Sequence, residues 1–486
     1  MAKDSNVGPG KRFVLDYIER NAGAIAQLGD AIFSFGEPGM QEFETAALMT
    51  GILEDGGFEV ERGISGFPTG FLATHGSGAP VIAIHCEYDG NPGNSQQSGA
   101  TEQSEIVPGA PGHCEGHNAN AAVMVGAALA LKGAMEEHGI AGTLKIFGAP
   151  AEELVLARPY YVRDGHFDDV DAAFHAHIWG EFSTEYGVLQ TSVISAEFIF
   201  HGETAHAAMY PWRGRDALDA VILMDTGMAQ FREHMQPGTN CQRVITDGGE
   251  QPNVIPARAA VWWYFRAPDA AGARELFEHA GKIAEGAALM TKTEMEIEIK
   301  AAVWPVRANQ TMAEIVQHNI DLVGMPEWSE EEHELARALQ KACGGEEEGL
   351  KREVTPLTGP SAQIPAANDC GDVSWKVPMA RLWFPANVPN VAFHHWSAGS
   401  ALATSIAHKG AVAGAQVLAA AVADMFADPK LVERAKETFS QEIGDVVYEP
   451  MLPPAQRPDT GINRELMATY RPLMEKHYAK DKPTFA

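Results

Sequence analysis

AAVMVGAALALKGAMEEHGIAGTLKIFGAP, residues 121–150, holds the pattern that decides the fold. Small and apolar side chains run through its first part and charges gather near its end, which predicts a helix over 121–138. GTLKIFGAP (142–150) then reads as a strand, as do APVIAIH (79–85) upstream and DVDAAFHAHIW (169–179) downstream. Strands alternating with helices define an α/β fold: a mixed, mostly parallel sheet with helices on both faces. Sites in such sheets form beyond the carboxyl ends of the strands. HCEYDG (85–90), AEEL (151–154) and HAHIW (175–179) all fall there.

Further out, residues 11–34 and 41–56 have apolar side chains at three- and four-residue spacing, which predicts two amphipathic helices. Near residue 190 the pattern changes. SVISAEFIFHGETAHAA (192–208) alternates like a sheet strand, and DALDAVILMDTGMAQFREHM (216–235) reads as helix. ARAAVWWYFRAP (257–268) and EMEIEIKAAV (294–303) supply two more strands around a second helix at 273–289. This is a smaller inserted α+β unit with antiparallel strands and helices on one face. The chain therefore divides into a first part (1–189), an inserted unit (190–304), and a second part with a tail (305–486). After the insertion come a helix at 329–343, a long polar loop (344–369), a strand at 377–385 and a helical stretch at 401–428. The proline-rich stretch EPMLPPAQRPDTGI (449–462) is expected on the surface.

At 486 residues the chain exceeds the roughly 250–300 at which one core stops growing, in keeping with two domains. Its 65 acidic against 36 basic residues leave a net charge of -29, which repels phosphate backbones and anionic membranes. Nucleic acid and membrane partners are not expected. The N-terminal stretch lacks the apolar core of a secretory signal, and no uninterrupted apolar run of membrane-spanning length is read along the chain. Five scattered cysteines argue against a disulfide framework. A cytoplasmic location is the expectation.

The chemistry gathers in PGHCEGHNAN (111–120), which crowds imidazoles, a thiol and a carboxylate into one turn, and in GAPAEEL (148–154), where Glu152 and Glu153 leave a buried strand together. Two such carboxylates can divide the holding of a metal from the movement of a proton. His177, ending the next strand, adds an imidazole from a separate element, the convergence a metal site requires.

GHCEGHN (112–118), GAPAEEL (148–154), DDVDAAFHAHIW (168–179), GETAHAAMYPWRGRDALDAV (202–221), QPNVIPARA (251–259), CGDVSWKVP (370–378), HHW (394–396) and TSIAHKG (404–410) follow in that order. Together they resemble the aminoacylase and carboxypeptidase-G-like metallopeptidase family, most of all its amidohydrolase branch, over roughly residues 25–425. The resemblance implies that 1–189 and 305–486 form a catalytic domain interrupted by a dimerisation or lid domain at 190–304, and that the catalytic domain carries a centre of one or two divalent metals, manganese or zinc. Its ligands would be His117, Glu153, His177 and His394, the neighbouring His395 being an alternative to the last, with Glu152 as general base. In the inserted domain it implies that His206 and Asn253 reach the active site of a partner protomer, and hence a homodimer, a higher oligomer or a paired chain. The branch carries cysteine immediately before Gly-His. This chain has Glu115 there and Cys114 one place earlier, so Glu115 is expected to be a bridging or direct ligand, and its hard oxygen favours manganese over zinc. His85, two residues before Glu87, is a further candidate ligand with Glu87 orienting it.

The activity implied is hydrolysis of an amide-type C–N bond in a small substrate such as an N-acyl amino acid, aminobenzoyl-glutamate or a dipeptide. Arg213 and Arg215 are candidates to grip its carboxylate, and Trp212, Trp375 and Trp396 to favour an aromatic group. The alternatives are an aryl aminohydrolase and a non-catalytic chain supporting a paired one.

Overall fold

In the computed structural model, which describes residues 7–486, the apolar runs become strands as expected. Residues 1–6, where the N-terminal reading begins, lie outside the described residues. In chain order the strands are β1 (Glu59–Arg62), β2 (Phe71–Ser77), β3 (Val81–Cys86), β4 (Gly142–Gly148), β5 (Ala172–Trp179), β6 (Ser183–Thr184), β7 (Gly187–Val188), β8 (Ser192–His201), β9 (Asn240–Asp247), β10 (Arg258–Ala267), β11 (Glu294–Val303), β12 (Arg307–Ala308) and β13 (Met379–Pro385). Seven form one sheet in the order β1-β2-β4-β3-β5-β13-β6. Its central strands β4, β3, β5 and β13 run parallel, and β1, β2 and β6 add antiparallel edges. The fold is the mixed α/β class read from the sequence.

Alternation along the parallel strands fills two cores. Ile82, Ile84, Leu144, Ile146, Phe174 and Ala176 face the helices Pro9–Arg20, Ala22–Phe35, His117–His138 and Ser405–Ala427. Ala83, Phe147 and Ala173 face the other way, toward the helix Ala157–Arg163 and the apolar interior of the insertion. The helix Ser405–Ala427 is long and apolar enough to cross a membrane by length and composition, although His408, Lys409, Gln416 and Asp424 interrupt its apolar run. Here 78% of its most apolar window is buried inside the fold. The insertion is a four-stranded antiparallel sheet in the order β11-β8-β10-β9, with helices Ala217–Phe231 and Ala270–Thr291 packed against it.

Several elements depart from expectation. The helix predicted over 11–34 is broken at Asn21, whose Nδ2 donates to the Tyr17 carbonyl at 2.8 Å and whose Oδ1 receives the Ala486 amide at 2.7 Å. A side chain that competes for the backbone in this way ends a helix. Strands β1, β2 and β9 and the helix Gln310–Val323 were not anticipated, because their apolar content is too low or too irregular to stand out. The region after 430 carries helices Pro429–Ile443 and Arg464–Met474 and is tied down: Arg471 pairs with Glu37 at 2.5 Å, and Gln41 Nε2 donates to the Ile462 carbonyl at 2.9 Å. No disulfide links the five cysteines.

This tail also closes over a buried carboxyl. Asp372 accepts from the Trp304 amide at 3.0 Å and from the Tyr448 hydroxyl at 2.8 Å. Burial pushes it up to about 7 despite these donors. The folded state therefore holds the proton above the pH at which an unfolded aspartate, near 4, releases it. This group's contribution is complete below about pH 4 and is lost as pH rises through 7, at a slope on the order of 1.4 kcal/mol per pH unit. Urea midpoints measured from pH 4.5 to 8 are expected to fall less steeply in Asp372→Asn than in the native chain.

Candidate metal centre

Three strand ends and two loops bring the chemistry together at the carboxyl edge of the parallel strands. After β4, Ala151 (φ 58°) and Val155 (φ 53°) bracket the short turn Glu152–Leu154 in left-handed backbone. Non-glycine residues held there cost roughly 1–3 kcal/mol each, and such strain concentrates at functional sites. The Ala151 amide donates to Glu42 Oε1 at 2.9 Å and the Glu153 amide to Asp89 Oδ2 at 3.1 Å, so the turn is fixed from behind. Gly116, at φ 104°, starts the helix His117–His138; a Cβ there would lie 2.5 Å from Ile178 Cδ1. Glycine at this point lets Glu115 and His117 face the same space.

Oxygens of Glu115 and Glu152 each lie 3.7 Å from His117 Nε2. His394, also held at positive φ (58°), places Nε2 2.7 Å from Glu115 Oε1 and 3.2 Å from Glu153 Oε2. His177 joins with its ring 5.4 Å from that of His117. Both buried imidazoles present Nε2 to the cluster, because their Nδ1 atoms face carbonyls: His117 that of Asp89 at 3.0 Å, His177 that of Ile178 at 2.9 Å. A carbonyl only accepts, so Nδ1 carries the hydrogen and Nε2 a lone pair.

The electrostatics are those of an acidic cluster. Burial first, and then neighbouring carboxylates, push Glu152 and Glu153 above the usual range. Hydrogen bonds to Glu115 and Glu153 raise His394 to about 10. His117 Nε2 and Glu153 Oε1 are buried without a hydrogen-bond partner. Unpaired imidazole and carboxylate atoms converging within 4.8 Å are the donor set of a divalent cation, and the residues present fit one.

Not every candidate joins. His85 is fully buried behind the site, stacked on His175 at 5.2 Å, with Nδ1 accepting from Arg158 Nε at 3.0 Å. Glu87 orients His175 (3.0 Å) and faces His177 (3.5 Å) instead of His85. Cys114 donates to Asn91 Oδ1 at 3.1 Å, and His395 turns away to Ser397 Oγ at 2.8 Å. His206 and Asn253 lie on the exposed surface of the insertion, outside the cavity of their own chain. His206 Nδ1 accepts from the amides of Ala208 and Met209 at 3.2 Å, which leaves Nε2 outward as a donor.

Arg213 and Arg215 sit on that same surface, Arg213 over the Tyr210 ring and Arg215 paired with Glu203, so within one chain they do not reach the site. The guanidinium groups that line the cavity of about 660 Å³ in front of the cluster are Arg266 and Arg381, neither singled out from the sequence. The tryptophans are likewise corrected. Trp212 is exposed, Trp375 donates to the Pro305 carbonyl and Trp396 packs in a separate small core, while Trp179 and Trp383 line the cavity. Their place at the ends of two adjacent strands is the signal that finds them.

An α/β sheet with a buried carboxylate–imidazole cluster at its carboxyl edge, interrupted by an α+β insertion, defines a metal-dependent amide hydrolase of the metallopeptidase type. Residues 189–289 match the family described as Peptidase dimerisation domain. The chain is 35% identical over 468 residues to one of the chains of p-aminobenzoyl-glutamate hydrolase of Escherichia coli K12, covering 91% of this chain and 97% of that protein. It is 27% identical over 442 residues to the Xaa-Arg dipeptidase of Mus musculus, covering 88% and 92%. Among solved structures, an aminobenzoyl-glutamate utilization protein from Klebsiella pneumoniae shares the fold with a TM-score of 0.58 at 17% identity, over 84% of this chain and 97% of that one. A Bacillus subtilis protein described as a dinuclear metal binding peptidase from the M20 family does so with a TM-score of 0.54 at 19% identity, over 86% and 99%. The chain belongs to the M20 family of metallopeptidases and amidohydrolases.

Proposed function

We propose that this enzyme hydrolyses the amide bond of a small, carboxylate-bearing N-acyl or N-aroyl amino acid, with Glu152 as general base. The observation that carries the reading is the cluster Glu115, His117, Glu152, Glu153, His177 and His394, all of which line one cavity except the fully buried His117. Its completeness within one chain weighs against a merely supporting role beside a paired chain. Glu115, His117, Glu153, His177 and His394 would hold one or two divalent ions, with Glu115 supplying oxygen where relatives of the branch have sulfur. A divalent metal bound there supplies Lewis acidity toward a water and a carbonyl oxygen.

Glu152 takes the proton of the attacking water and returns it to the leaving nitrogen. His206 from a second protomer, its Nε2 donor already aimed outward, steadies the developing charge on the carbonyl oxygen, and Asn253 flanks it. The exposed edge strand β9, with Val244 and Ile245, and Ile222 on the neighbouring helix, offer the apolar surface for a homodimer. The five unpaired cysteines agree with a cytoplasmic enzyme.

Elemental analysis of the native chain beside Glu115→Ala, together with assays on N-acyl and N-aroyl amino acids, tests this. About one or two manganese or zinc ions per native chain are expected. Their affinity should fall about 10-fold or more in the variant, the scale seen when even supporting groups around a metal are removed. A native chain that binds no added divalent metal, or releases ammonia from an aryl amine in place of an amine and an acid, overturns it.

A further inference from the structure

Arg381 lies inside the fold at 2% exposure and lines the cavity in front of the cluster. No carboxylate lies within ion-pairing distance of it among the described residues, and its Nε and Nη1 have no hydrogen-bond partner. A buried cation without a counter-charge is costly, and proteins keep one where a partner arrives. Its guanidinium carbon lies 4.2 Å from the centre of the Trp383 ring. Nε and Nη1 are sealed from solvent yet bonded to nothing, so the guanidinium keeps N–H groups with which arginine takes a carboxylate.

The register fixes where such an anion would sit. β13 runs beside β5 with Trp383 opposite His177 and Arg381 opposite His175. Arg381 is thus two residues deeper than the candidate ligand His177, roughly 7 Å along the strand at about 3.3 Å per residue. Trp383 is locked in turn: its Nε1 donates to Glu185 Oε1 at 2.8 Å, and its ring meets Trp179 at 5.3 Å. The alternative, that Arg381 merely offsets the acidic cluster, predicts an ion pair that is not there.

We propose that Arg381 is the specificity-determining residue that receives a carboxylate of the substrate from the cavity it lines, with the Trp383 ring beside its guanidinium. The inference rests on the amide-hydrolase reading for its catalytic arm alone. In that arm, kcat/KM is measured for N-benzoyl amino acids and their carboxamides with native enzyme, Arg381→Lys and Arg381→Met. The native preference for free acid over amide is expected to collapse by at least about 30-fold in Arg381→Met, the scale on which a buried charge partner is lost, with partial rescue in Arg381→Lys. An equal fall on acid and amide overturns the assignment.

The second arm needs no turnover. Metal-stripped protein is titrated with benzoate and with benzamide, following tryptophan fluorescence and confirming intact folding by near-ultraviolet circular dichroism. Benzoate is expected to bind the native chain and to lose at least about 10-fold in affinity in Arg381→Met, as for a charged hydrogen bond removed. Benzoate binding that the substitution does not change overturns the inference even if the enzyme is active. If the native chain cleaves no member of the panel, the hydrolase reading fails while this titration still decides Arg381.

Discussion

Glu152→Gln is expected to lower kcat by about 10²- to 10⁴-fold, the usual worth of a positioned general base, with metal content unchanged. Glutamine keeps the shape and a hydrogen-bonding oxygen but cannot accept the proton. Glu152 suits the role by position: it is buried, it begins a turn held by strained residues on both sides, and its oxygen lies 3.7 Å from His117 Nε2 at the inner wall of the cavity. Glu153, next to it, points to His394 instead, the arrangement expected where adjacent carboxylates divide two tasks. The measurement is steady-state kinetics with elemental analysis of the same preparation. A kcat within tenfold of native, or a variant that has lost its metal, would remove Glu152 from the role of base. The KM is expected to move far less than kcat, since the interaction is made in the transition state.

The fold was legible where periodicity is strong and burial is two-sided. The β3, β4 and β5 runs are mostly apolar because both sheet faces are covered, and together with the helix read over 121–138 this is what declared the parallel sheet. β9 was missed for the opposite reason: as an exposed edge strand, NCQRVITD owes no apolar alternation to a core. In the site, Glu115, His117, Glu152, Glu153, His177 and His394 were readable because each stands in a compact motif. Arg381, Trp383 and Arg266 were not. They lie in ordinary-looking strands, and only strand order and register bring them to the cavity. Arg213 and Arg215 lie with His206 on the insertion's surface, whereas the cavity of the same chain is walled by β10 and β13.

The group with the largest expected effect on stability lies behind the cluster and has no motif at all. Arg158 is completely buried. It bridges Glu87 and Asp369, donates from Nε to His85 Nδ1 at 3.0 Å, and its amide donates to Asp369 Oδ2 at 3.0 Å. Glu87 also accepts from Asn120 Nδ2 at 3.1 Å, and Asn120 Oδ1 receives the Ile178 amide at 2.9 Å. Burial works against the Glu87 carboxylate, yet His175 and Arg158 hold it well below the usual range. Arg158→Met would leave two buried carboxylates with no cation between them, a loss of about 3–5 kcal/mol. Urea unfolding is expected to show it as a lower midpoint at an unchanged slope. The damage should extend to the metal, because Glu87 Oε1 lies 3.5 Å from His177 Nε2 and forms with His117 and His177 a group that could hold a cation; affinity is expected to fall about 10- to 100-fold, as when groups around a metal are removed. Adding Asp369→Asn and Glu87→Gln to Arg158→Met removes the stranded charges together and should restore part of the stability but not the metal affinity. That split separates burial of charge from the part Glu87 plays beside His117 and His177. An Arg158→Met chain as stable as native would mean that water or protonation already neutralises the pair, and Arg158 would lose its place as the keystone beneath the site.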